Sequence, residues 1–260
     1  MNRENNDQVI RLIRQDGVAV VIMEEKEFSN TFTHRFIKGM LAVFETIAGS
    51  PEIKAVVVHG FDNYFCCGGT KEELLSLQEG MGKEAGQGQV KFTDAGFHDL
   101  FIRCEVPVIA AMQGHALGAG FVLGCTADII IMAEQSIYAA NFMKYGFTPG
   151  FGATYIVPLK LGTALGNEML WTAKNYYGHQ LRERGAPVRI VPRQQVIPTA
   201  LEIAGGLAEK PLVTLKMLKK HLSNPVQVEL QKIIEAEIEL HRVTFPQPEV
   251  RQMIERLFGS

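Results

Sequence analysis

Two apolar runs, each followed closely by a glycine cluster, constrain the fold of this chain most. Ala55-Val56-Val57-Val58-His59 precedes Cys66-Cys67-Gly68-Gly69, and Val108-Ile109-Ala110-Ala111-Met112-Gln113 leads directly into Gly114-His115-Ala116-Leu117-Gly118-Ala119-Gly120. A short, continuously apolar run reads as a strand buried on both faces, as in a parallel sheet covered by helices. Glycine just beyond it lets the backbone turn sharply or approach another segment closely.

Helical periodicity lies between such strands. Residues 33–48 place Phe36, Met40, Val43, Phe44 and Ile47 on one face. Further strands are expected at Val18–Met23 and residues 128–132. Residues 71–77 read as a short helix and 78–89 as a glycine-rich loop. Thr93 or Asp94 caps a helix to about residue 104, and another covers 117–126. This alternation makes the class α/β. Residues 143–153 are turn-rich. Helices are then expected at 161–172, 196–208 (with Pro198 in the first turn), 212–222 and 227–241, with a short β stretch at 188–191. The chain therefore divides into a core, residues 1–194, and a C-terminal helical region, residues 195–260.

Charge narrows the function classes. With 26 basic and 28 acidic residues the net charge is −2, so nucleic acid is not the expected main partner. No apolar run has the length of a membrane span, and the first residues lack the order of a signal peptide. A cytoplasmic enzyme is expected, with Cys66, Cys67, Cys104 and Cys125 as reduced thiols. Their spacing is not that of a zinc site, and no metal or cofactor is expected.

The glycine clusters carry the chemistry. Gly118, Gly120 and Gly124 are spaced one residue too widely for a dinucleotide fingerprint, and no Lys-Ser/Thr pair follows to make a phosphate loop. Turn chemistry alone explains either cluster taken singly. Together they offer backbone N–H donors, one set at a helix start, around one developing oxyanion. Such an anion hole suits the enolate of a thioester. Cys66 and Cys67 have no evident base beside them, which argues against a nucleophilic thiol. His59 reads as structural; His115, between the glycines, could touch substrate but reads first as a turn or core residue. Leu230, Ile234 and Ile238 form an apolar helical stripe that His241 continues, so this histidine faces the protein.

The stretches Phe65 to Gly69, Pro107 to Gly120, Ala127 to Ile130 and Thr148-Pro149-Gly150 together resemble the crotonase (enoyl-CoA hydratase/isomerase) superfamily over nearly the whole chain. The resemblance implies a spiral of ββα units with a helical C-terminal layer. It makes Gly69 and Ala119 the two oxyanion donors, with alanine where the family usually has glycine. Hydratases of this family carry two glutamates that handle water. Here Val122 and Phe142 stand at the matching positions as apolar pocket residues, and neither moves a proton.

The segment from Asn141 to Gly150, the Lys91-Phe92-Thr93-Asp94 stretch and the run from His241 to Phe245 are similar to the decarboxylating crotonase homologues of polyketide β-branching cassettes. That likeness implies removal of carbon dioxide from a 3-methylglutaconyl thioester on an acyl carrier protein, giving the 3-methylcrotonyl thioester through a dienolate. It pairs the C-terminal histidine, His241, with a lysine, for which Lys91 is the first choice and Lys83 and Lys71 follow. It also implies a homotrimer or hexamer and a phosphopantetheine-borne substrate. Lys144 and Tyr145 shape the pocket wall or a subunit contact. An enoyl thioester isomerase and a non-catalytic carrier-binding scaffold are the alternatives.

Overall fold

The computed structural model describes residues 8–81 and 96–258. It opens with a hairpin of β1 (Ile10–Gln15) and β2 (Val18–Met23), joined at Asp16 and Gly17. Their φ values of 50° and 79° are those that a tight two-residue turn demands, which Asp-Gly supplies. Helix α1 (His34–Ala48) follows, capped by the Thr33 hydroxyl, and buries the five residues of its apolar face.

Three similar passages come next. Strand β3 (Ala55–His59) leads to β4 (Tyr64–Cys66) and α2 (Lys71–Met81). After α3 (Leu100–Arg103), β5 (Val108–Met112) leads to β6 (His115–Leu117) and α4 (Ala119–Cys125). Then β7 (Ile129–Ala133) leads to β8 (Ile137–Ala139), a 3-10 turn at Asn141–Tyr145 and α5 (Ala153–Leu161). In each passage the first strand joins a six-stranded sheet, β1-β2-β3-β5-β7-β10, and the second a four-stranded sheet, β4-β6-β8-β9. Strands β9 (Tyr176–Tyr177) and β10 (Arg189–Val191) complete the two sheets. Apart from the β1–β2 and β8–β9 pairs, neighbours run parallel. This is the expected ββα spiral.

The apolar runs are continuous because both faces of the large sheet are covered. Val56, Val58, Ala110 and Met112 enter the main core. Ala55, Val57, Ile109 and Ala111 meet Val196, Ala200 and Ala204 of α8 (Arg193–Ala208) on the other face. Helices α6 (Thr163–Thr172), α7 (Gly178–Glu183), α9 (Leu212–Thr244) and α10 (Pro248–Leu257) complete the chain. Among the described residues, no helix is long and apolar enough to cross a membrane.

Several local expectations change. The four-stranded sheet goes unforeseen because its strands hold only two or three residues, too few to display a period of two. Residues 115–117 are strand, and α4 begins only after Gly118, at φ 54°. Helix α2 continues to Met81, while residues 82–89 and the cap candidates Thr93 and Asp94 lie outside the described residues. The helix expected at 161–172 begins at Thr163, after Gly162 with φ 86°, and a separate helix over Ala153–Leu161 goes unforeseen. Helix α8 starts at Arg193, so Pro198 sits inside it and not in its first turn.

The two helices expected around Pro225 are instead one helix of 33 residues. The proline removes one backbone donor. Buried Leu215 and Lys219 anchor the helix before it, and Leu230, Ile234 and Glu237 anchor it after.

Candidate active site

The two glycine clusters meet at the ends of β4 and β6, which are paired through Cys66 and Ala116. Gly68 has φ 76°, and a Cβ there would lie 2.9 Å from the Leu117 carbonyl oxygen and 3.1 Å from the Ala119 nitrogen. A Cβ on Gly120 would lie 2.3 Å from the Cys66 carbonyl oxygen. The absence of side chains at both positions is what lets backbones roughly 50 residues apart touch. Gly69 and Ala119 then line one cavity of ≈ 360 Å³.

The donors are available. The Gly118 N–H goes to the Ala139 carbonyl at 2.8 Å, and the Gly118 carbonyl accepts from Phe121 and Val122. Ala119 opens α4, where an N–H has no partner within its own helix. No backbone carbonyl among the described residues takes the N–H of Gly69 or Ala119. Two backbone donors therefore border the same space.

Another part of the wall comes from α9 and the segment before α5. His241 lines the cavity, and its ring lies over Gly150, where a Cβ would come within 2.3 Å of Cε1. Phe245 and Phe147 meet the ring edge-on, at 5.0 and 6.2 Å between centroids. Nε2 sits 2.9 Å from the Thr148 carbonyl oxygen. A carbonyl only accepts, so Nε2 carries the hydrogen, and the neutral ring leaves a lone pair on Nδ1. Burial pushes the imidazole below its ordinary pKa, although the Thr148 and Pro149 carbonyls oppose this, so the neutral form prevails at pH 7.

One turn earlier, Glu237 lines the same cavity at 2% exposure. Its Oε2 accepts the Gly152 N–H at 2.7 Å. Its Oε1 accepts the Thr154 N–H and hydroxyl at 2.9 and 2.6 Å. The carboxylate thus caps α5 from another element, while burial raises its pKa against these bonds. Glu237 and His241 fasten the 148–154 segment to α9 as two rungs. Sequence reading missed Glu237, although its signal was present: a carboxylate seven residues after Leu230, on the apolar stripe.

Phe142 also lines the cavity, along with Phe32, Phe147 and Phe151. Val122 is fully buried in α4 and is not part of the lining. Lys91 and Lys83 lie outside the described residues. Lys71 begins α2, does not line the cavity, and donates from Nζ to the Glu255 carbonyl at 3.3 Å. His115 has a structural bond, its Nδ1 accepting the Ile137 N–H at 2.9 Å. Burial pushes Cys67, at the cavity wall, up to about 12, so it remains a thiol at neutral pH. Among the described residues, no group of three metal-ligating side chains is assembled.

One largely aromatic cavity is thus bordered by Gly69 and Ala119, whose N–H groups no described backbone carbonyl takes, and by a neutral imidazole. Known proteins share this frame. The family model for enoyl-CoA hydratase/isomerase matches residues 13–257. The bacillaene synthase decarboxylase PksI of Bacillus subtilis is 45% identical over 253 residues, covering 97% of this chain and 98% of that one. A solved structure from a dehydratase/decarboxylase enzyme couple involved in polyketide β-branching superposes with a TM-score of 0.92 at 44% identity, over 97% of this chain and 100% of the other. The ECH2 decarboxylase domain of CurF from Lyngbya majuscula superposes with a TM-score of 0.89 at 36% identity, over 96% and 100%.

Proposed function

The chain belongs to the enoyl-CoA hydratase/isomerase family, and on that footing we propose that it is a decarboxylase of polyketide β-branching, acting on 3-methylglutaconyl-acyl carrier protein. The product is the 3-methylcrotonyl thioester. The observation that carries the reading is the pair of N–H groups, Gly69 and Ala119, that no described backbone carbonyl takes, in a cavity whose wall bears Phe142 and, among the described residues, no pair of carboxylates free to activate water.

The reaction follows from that geometry. The thioester carbonyl binds with its oxygen between the two N–H groups. Cleavage of the bond to the carboxylate leaves an electron pair that spreads into the thioester as a dienolate. The two donors stabilise the charge as it grows, and loss of one such donor typically costs about 10²–10³-fold in rate. Carbon dioxide leaves neutral into aromatic surroundings.

His241 and Lys91 are assigned to the substrate carboxylate. The neutral imidazole presents a lone pair at Nδ1, so an arriving carboxylate favours its protonation, and Lys91 supplies a second cation. The phosphopantetheine arm of the carrier protein delivers the thioester. Exposed Val213, Met217, Leu222 and Val228 along α9 support a homotrimer or hexamer.

The test is direct. Purified protein is incubated with 3-methylglutaconyl carrier protein and the acyl mass is followed. Loss of carbon dioxide is the expected result. A shifted double bond without mass loss would replace this reading with an isomerase, and binding without change would leave a scaffold.

A further inference from the structure

A decarboxylase must return a proton to the carbon that loses carbon dioxide. Few cavity groups among the described residues hold a proton ready for that step. The His241 Nε2–H is committed to Thr148, and both Glu237 oxygens are occupied as acceptors.

Tyr145 is differently placed. It ends the 3-10 turn Asn141–Tyr145, three residues after Phe142, and side chains three apart in a 3-10 turn lie over one another. Both line the cavity. The phenol ring is clamped between Phe147, at 6.1 Å and 14° between planes, and Phe258, at 6.0 Å and 32°. Its residue is buried, yet its oxygen is neither hydrogen-bonded among the described residues nor one of the sealed, unpartnered polar atoms. The hydroxyl is therefore not sealed in the core, and its residue borders the cavity. Burial and the nearby Cys67 raise its pKa, so the proton is retained at neutral pH. The Lys144 ammonium lies 5.7 Å from the ring centroid and would offset charge on a transient phenolate.

We propose that Tyr145 is a catalytic residue that protonates the dienolate, a role that rests on the decarboxylase reading above. The dienolate's electron pair forms the new C–H bond, the phenol O–H bond breaks, and water restores the proton to the phenolate. The bond forms at the carbon vacated by carbon dioxide, which makes the conjugated 3-methylcrotonyl product.

The experiment uses the full chain and 3-methylglutaconyl carrier protein, with mass and double-bond position read on the product. Tyr145→Phe keeps the ring clamp, so KM and melting temperature should hold while kcat falls about 10²-fold. Placing 3,5-difluorotyrosine at 145 preserves shape and makes the phenol more acidic, so the high-pH loss of kcat should begin at lower pH. Wild-type kcat with the same product isomer in Tyr145→Phe would overturn the assignment. So would an unmoved pH limb, or a comparable loss in Cys67→Ala alone. A wild-type protein that releases no carbon dioxide would overturn the decarboxylase reading itself, so the two failures are distinguishable.

Discussion

Gly150→Ala is the sharpest probe of how the site is held. Gly150 is buried, and its φ lies outside the left-handed region, so alanine meets no backbone strain there. The added methyl would lie 2.3 Å from His241 Cε1 and 2.9 Å from Nε2, where ordinary contact begins near 3.4 Å. The ring must therefore retreat by about 1 Å, and a displacement of that size can cost about 10²-fold in rate. It would also strain the 2.9 Å bond to Thr148 that fixes the tautomer. The assay is a double-mutant cycle on kcat with 3-methylglutaconyl carrier protein, alongside thermal melting. Gly150→Ala alone should approach the loss seen in His241→Ala. In the His241→Ala background the same change should cost almost nothing, because the methyl then enters vacated space. Full activity in Gly150→Ala, or a loss that simply adds to that of His241→Ala, would refute the reasoning.

Glu237→Gln should destabilise the protein by about 1–3 kcal/mol in denaturant titration, because the amide nitrogen must face a backbone donor now served by a carboxylate oxygen. Gly120→Ala places a methyl against the immovable Cys66 carbonyl, and a loss of about 1–3 kcal/mol is expected together with weakened turnover; unchanged melting would disprove the close approach. The His241 pKa lies below its ordinary value of 6.5 in the free enzyme and should rise when the substrate carboxylate binds. The complex then holds the extra proton, so affinity is lost as pH rises from below 6.5 through the pKa of the complex. KM should climb across that window in wild type and stay flat in His241→Asn. A pH-independent wild-type KM would remove His241 from carboxylate recognition.

Some of this was legible along the chain. The runs at β3 and β5 announced themselves because burial on both faces demands apolar side chains at every position. The stripe through Leu230, Ile234 and Ile238 points His241 inward from periodicity alone. The β4 to β9 ladder was not legible, since strands of two or three residues are specified by their neighbours in space and not by their own pattern. Pro225 misled for a related reason: its local penalty is outweighed by the packing of α9 on either side. Tyr145 read as pocket wall or subunit contact because nothing in its neighbourhood reveals an open hydroxyl.

By itself the sequence determined the alternating α/β order, the places where the backbone had to be bare, and the polar residue that closes an apolar helical stripe. These are local properties, written in side-chain volume and periodicity. Only the tertiary structure decided that the two bare segments touch and leave the Gly69 and Ala119 N–H groups around one cavity, taken by no described backbone carbonyl. It also decided which His241 nitrogen holds its hydrogen and what Glu237 caps. The reason is physical. Every residue offers the same backbone carbonyl and, proline apart, the same N–H, so their pairing is set by which chain segments meet and not by residue type.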